Sequence, residues 1–103
     1  MGRVLTARDG VRALALLERD PEVHVILMDL MPNREALDTL RILRTTEMWQ
    51  SLPVIILIAS TGSVDEADAL QAGANAVLAK PIRTDALIDT LSRWLSPASR
   101  AHS

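Results

Sequence analysis

Leu52-Pro53-Val54-Ile55-Ile56-Leu57-Ile58 decides the fold class of this 103-residue chain. After the proline come five aliphatic residues with no polar residue among them, four of them β-branched, which favours a strand over a helix. An alternating strand has one wet face. A short strand that is apolar at every position is covered on both faces, as a central strand of a parallel sheet lying between helical layers is.

Further strand candidates lie on either side of that run. Upstream is His24-Val25-Ile26-Leu27-Met28-Asp29, downstream is Ala76-Val77-Leu78-Ala79-Lys80, and Val4-Leu5-Thr6 makes a fourth near the amino terminus. Helical patterns separate them. Ala13, Leu14 and Leu17 share a face in a segment that Asp20-Pro21 ends. After the turn Met31-Pro32-Asn33, a second helix is marked by Leu37, Leu40 and Leu43 with Ile42. Ser63-Val64-Asp65-Glu66 is a capping box for a third, with Ala67, Leu70 and Ala74 expected inward and Gly73 placed to end it. Thr84 is the expected cap of a fourth, in which Leu87, Leu91, Trp94 and Leu95 recur at helical spacing. Strand-helix alternation with short loops predicts an α/β fold with a parallel sheet, four βα units in one domain over residues 1–96, and a polar tail or linker over 97–103.

Composition narrows the function. A 49% hydrophobic content over this length supplies one core and not two. No run approaches the roughly 18 apolar residues of a membrane span, and Met1-Gly2-Arg3-Val4 opens no secretion signal, so a cytoplasmic location is expected. Cysteine is absent, and His24 and His102 form no ligand cluster, which removes disulfides, thiolate chemistry and sulfur metal sites. A net charge of −2, dispersed arginines and the lack of Phe and Tyr argue against direct nucleic-acid binding. No glycine-rich phosphate loop, nucleophile elbow or dinucleotide fingerprint follows any strand, so neither an enzyme nor a small-molecule substrate is expected.

What remains is at the strand ends. Lys80 is the single lysine beside ten arginines, and it closes the run 76–79 directly before Pro81. Asp29 closes the run 25–28. Both charges would emerge at the carboxyl ends of buried parallel strands, where open α/β sheets place their ligand sites, and a carboxylate meeting an ammonium there suits phosphoryl chemistry at an aspartate. Taken as a pair these are ordinary loop residues, so the weight falls on the order and spacing of the surrounding motifs.

Taken together, the motifs resemble the receiver domain of two-component response regulators over nearly the whole chain. His24 to Asp29 with Met31-Pro32 is similar to the strand carrying the phosphoacceptor, Leu52 to Leu57 to the fourth strand, and Ala72-Gly73-Ala74 with Leu78-Ala79-Lys80-Pro81-Ile82 to the carboxyl-terminal signature. Ala7-Arg8-Asp9-Gly10-Val11-Arg12-Ala13-Leu14 fits the start of the family's second helix. The resemblance implies a flavodoxin-like, three-layer α/β/α fold of the CheY type. It implies that Asp29 accepts a phosphoryl group from a histidine kinase or phosphotransfer protein, and that Lys80, before a cis Pro81, and the backbone amide of Ala59 contact that group.

Four departures qualify what the resemblance implies. The match starts at the family's second strand, so the first βα unit, with the acidic pair that binds Mg²⁺, is expected to be missing. Asp29 and the Met31 carbonyl would then hold Mg²⁺ weakly or not at all. Only Leu30 separates Asp29 from Met31 where the family has two residues; counting back from Met31 would select Met28, whereas the strand pattern selects Asp29 with a shortened loop. Ile58 stands in place of a phosphoryl-binding hydroxyl, with Ser60 or Thr61 as the compensating candidates, and Val77 in place of the switch aromatic. The expectation is an impaired receiver, the alternative a degenerate receiver-like module for protein interaction or dimerisation without phosphorylation. In the family's sheet order 2-1-3-4-5, loss of the first strand would leave residues 4–6 and 25–28 as unpaired edges. That predicts a homodimer, or else a sheet that closes the gap.

Overall fold

The computed structural model describes residues 3–7, 10–20, 22–30, 34–60 and 62–95. The elements alternate as read: β1 (Arg3–Ala7), α1 (Gly10–Arg19), β2 (Val23–Asp29), α2 (Glu35–Thr45), β3 (Val54–Ile58), α3 (Val64–Ala72), β4 (Ala76–Ala79) and α4 (Thr84–Leu95). All neighbours pair in parallel, in the order β1-β2-β3-β4.

That order is the closed-gap alternative, and it corrects the expectation of an unpaired edge at 25–28. Val4 pairs with Val25, Leu5 with Ile26 and Thr6 with Leu27, while Ile26 to Asp29 pair on their other side with Val54 to Leu57. β2 therefore has partners along both sides and 25–28 is no edge. Closing the ladder satisfies backbone donors and acceptors on both strands at once, which an open gap would leave to water. Among the described residues β1 pairs on one side only.

The core lies on one face of this sheet. Ala13 and Leu17 of α1, Ala36, Leu37, Leu40 and Leu43 of α2, and Ala69 of α3 pack with Ile26, Met28, Val54, Ile56 and Ile58 into one buried cluster. Because strand side chains alternate, Val25 and Ile55 point to the opposite face, where both are fully buried. α4 packs there, against β2 and β4, and has no fully buried residue of its own.

Helix starts and stops follow the sequence signals better than helix faces do. The Ser63 hydroxyl accepts the Glu66 N–H and Glu66 returns to accept that of Gly62 at 2.6 Å, while Gly73 ends α3 in the left-handed region at φ 117°. The inward residue of α3, however, is Ala69; Ala67 and Leu70 are exposed, and only Ala74 of the expected trio packs on the core. On this helix Asp65 and Asp68 meet Arg34. Ile42 is also exposed, lying off the 36/40/43 stripe of α2. Thr84 is the first residue of α4 rather than the residue before it. The tail 97–103 lies outside the described residues.

One side chain fastens the amino-terminal rim of β3 and β4. Arg44, in the last turn of α2, donates to the carbonyls of Leu52 at 2.9 Å and Gly73 at 3.0 Å and to Asn75 Oδ1 at 2.7 Å. Asn75 Oδ1 also accepts the Val54 N–H, and the Asn75 N–H bonds the Val54 carbonyl. Burial lowers the pKa of this guanidinium from the ordinary arginine value.

Candidate functional site

Parallel strands put their carboxyl ends on one rim, and the register sets which residues meet there. Asp29 ends β2 opposite Leu57, and Lys80 follows β4 with its N–H on the Ile58 carbonyl at 2.8 Å. Lys80 Nζ consequently reaches across the end of β3 and lies 2.7 Å from Asp29 Oδ2. Both side chains are about a third exposed, at 39% and 31%, so the pair is open to an incoming group and screened by water. The Lys80-Pro81 peptide is cis, as the resemblance implies.

Met28, the other position that spacing allows, is buried in the core at 1% exposure and points away from Lys80's side of the sheet. A cleft of about 460 Å³ opens beside Asp29, floored by Thr6, Leu27 and Leu57 and edged by Arg12 and Leu16. The carboxylate thus borders both an ammonium and an apolar recess.

Ala59 and Ser60 follow Ile58 directly and are exposed, at the same rim as Asp29. The Ser60 carbonyl accepts the Ser63 hydroxyl at 2.8 Å, which ties this segment to the start of α3. Thr61 and Met31 lie outside the described residues. Ile58 is fully buried in the core, and Val77 is partly buried against it, so neither position offers a hydroxyl or an aromatic ring at the rim.

Asp29 brings one carboxylate to this rim. Among the described residues no group of three or more His, Asp or Glu side chains is arranged to hold a metal ion. Asp9, which follows β1, and Met31 lie outside the described residues.

Arg34 was not legible as part of this region. Its N–H bonds the Leu30 carbonyl at 2.8 Å, it adopts φ 61° and ψ 17°, and its guanidinium pairs with Asp65 at 3.4 Å and, more closely, with Asp68. An arginine in a turn carries no sequence signal for a partner some thirty residues away.

The parallel sheet thus brings a carboxylate and an ammonium into contact across the end of β3. The chain belongs to the response regulator family: the profile described as the response regulator receiver domain matches residues 1–92. It is 41% identical over 86 residues to the transcriptional regulatory protein CpxR of Klebsiella pneumoniae, a match covering 82% of this chain and 35% of that protein. It is 30% identical over 97 residues to a chemotaxis protein CheY homolog of Campylobacter jejuni, covering 93% of this chain and 75% of that one. The receiver domain of sensor histidine kinase PA1611 from Pseudomonas aeruginosa, whose structure has a magnesium ion coordinated in the active site cleft, superposes with a TM-score of 0.78 at 27% identity, over 92% of this chain and 98% of that one. The chain spans about a third of the length of the CpxR relative.

Proposed function

We propose that this chain is a cytoplasmic phosphorelay receiver in which Asp29 accepts a phosphoryl group from a histidine kinase or phosphotransfer protein. The observation that carries this reading is the 2.7 Å contact between Lys80 Nζ and Asp29 Oδ2 at the exposed rim of the sheet. An Asp29 oxygen attacks phosphorus in line with the phosphohistidine P–N bond; the O–P bond forms as the P–N bond breaks, and the electron pair leaves on the imidazole. The Lys80 ammonium offsets charge on the phosphoryl oxygens, and the Ala59 amide adds a donor. Ser60 or Thr61 supplies the hydroxyl that Ile58 cannot. With Asp29 and the Met31 carbonyl as the protein's oxygens, magnesium binds weakly or not at all, and transfer is slow.

Incubation with acetyl phosphate, with and without Mg²⁺, followed by intact mass measurement, tests this. Slow formation of one adduct that Asp29→Asn abolishes is expected. An adduct that survives Asp29→Asn overturns the assignment.

A second reading, an interaction or dimerisation module acting without phosphorylation, draws on β1. It has one unpaired side, and Val4 and Leu16 beside it are 39% and 41% exposed. Free strand edges template pairing with another chain. A homodimer through β1 would give a dimer mass by light scattering after size exclusion at micromolar concentration, and a monomer there removes it.

A further inference from the structure

Two segments leave the rim at which Asp29 stands, the one that follows β2 and the one that follows β3 into α3. The buried Leu30, directly after Asp29, is held to the sheet through its N–H on the Leu57 carbonyl at 3.0 Å, and its own carbonyl takes the Arg34 N–H. At the second, the Ser60 carbonyl accepts the Ser63 hydroxyl, and the capping box ties Gly62 and Ser63 to α3. α3 has a single fully buried residue, Ala69, so apolar packing gives it a weak hold. The Arg34 guanidinium spans from the first segment to Asp65 and Asp68 in the amino-terminal half of α3. It does so from a left-handed backbone conformation that an arginine adopts at a cost, and Arg34 is the one non-glycine residue of positive φ among the described residues. Strain of this kind persists where surrounding contacts over-determine it, and it concentrates at functional sites.

We propose that Arg34 is a positioning residue for phosphoryl acceptance, tying Leu30, the residue after Asp29, to the start of α3 so that the rim beside Asp29 is held in one geometry. The inference rests on the reading of Asp29 as acceptor. Arg34 does not touch the phosphoryl group in this scheme; it acts through Leu30 on one side and α3 on the other.

Arg34→Gly separates the clamp from the fold, because glycine accepts φ 61° without strain while deleting the charge. In this variant, amide exchange across residues 62–72 should quicken about fivefold, as expected for loss of a modest ion-pair network. Labelling by acetyl phosphate should slow by a similar factor, with the urea midpoint nearly unchanged. Arg34→Lys should recover part of both. Raising salt to about 1 M, where the Debye length falls to about 3 Å, should loosen 62–72 in the parent chain and leave Arg34→Gly unaffected. Unchanged exchange at 62–72 in Arg34→Gly, or normal labelling despite faster exchange, overturns the proposal while Asp29 remains the acceptor. A parent chain that takes no label removes the acceptor reading itself, and the positioning role with it.

Discussion

Asp29 and Lys80 differ from Arg44 in how much of each the sequence reveals. Each of the first two interrupts an apolar run, so its place at a strand end can be read from the string, and the register then brings the two charges together. Arg44 ends an amphipathic helix like any surface arginine, and its partners are carbonyls of Leu52 and Gly73, which no residue type announces. The energetic ranking is the reverse of the legibility. Lys80→Met should change unfolding free energy by no more than about 1 kcal/mol, because the pair is exposed and screened. It should nevertheless slow labelling of Asp29 sharply, which intact mass against time would show. Arg44→Met strands several part-buried acceptors and should lower stability by about 2 to 4 kcal/mol in urea unfolding. A loss under 1 kcal/mol would mean that water replaces the guanidinium freely.

Among the elements, starts and stops were readable because caps are local chemistry. Ser63, Glu66 and Gly73 act within a few residues of themselves, and all three do what their types imply. Which face of α3 turns inward was not readable, since its partners, Arg34 among them, lie on other elements. The contact of α1 with α2 was equally hidden. Gly10 begins α1 so close to α2 that a Cβ on it would lie 1.6 Å from Thr39 Oγ1. Glycine to alanine within a helix normally stabilises by up to about 1 kcal/mol. Here Gly10→Ala should instead destabilise by about 1 to 3 kcal/mol, and Thr39→Ala in the same chain should recover part of the loss. Additive effects in that double variant would show that the two helices do not meet where the structure has them.

For the molecule as a whole, the strand positions were legible and their order only as one of two alternatives. Periodicity and β-branching mark a strand, but they do not say which strand lies beside it, and the family order left room for a gap that backbone pairing closes. Native-state amide exchange checks the outcome: Ile26 to Met28 and Val54 to Ile56 should be the slowest amides, with β1 and α4 exchanging earlier, because β1 is paired on one side and α4 has no fully buried residue. Fast exchange at 26–28 would mean that β1 does not stay docked in solution.

Arg44 and Asn75 give the sheet two unlike ends. At the rim where β3 and β4 begin, the fastening is made by part-buried hydrogen bonds to fixed carbonyls, which salt and surface charge scarcely reach. At the rim where they finish, the ties among Asp29, Lys80, Arg34, Asp65 and Asp68 are half-exposed ion pairs, adjustable by a single added charge. The domain is therefore built as a clasp, with a part-buried hinge at one rim and a charged, half-exposed mouth at the other, and a charge added at Asp29 would meet the ion pairs of the mouth first.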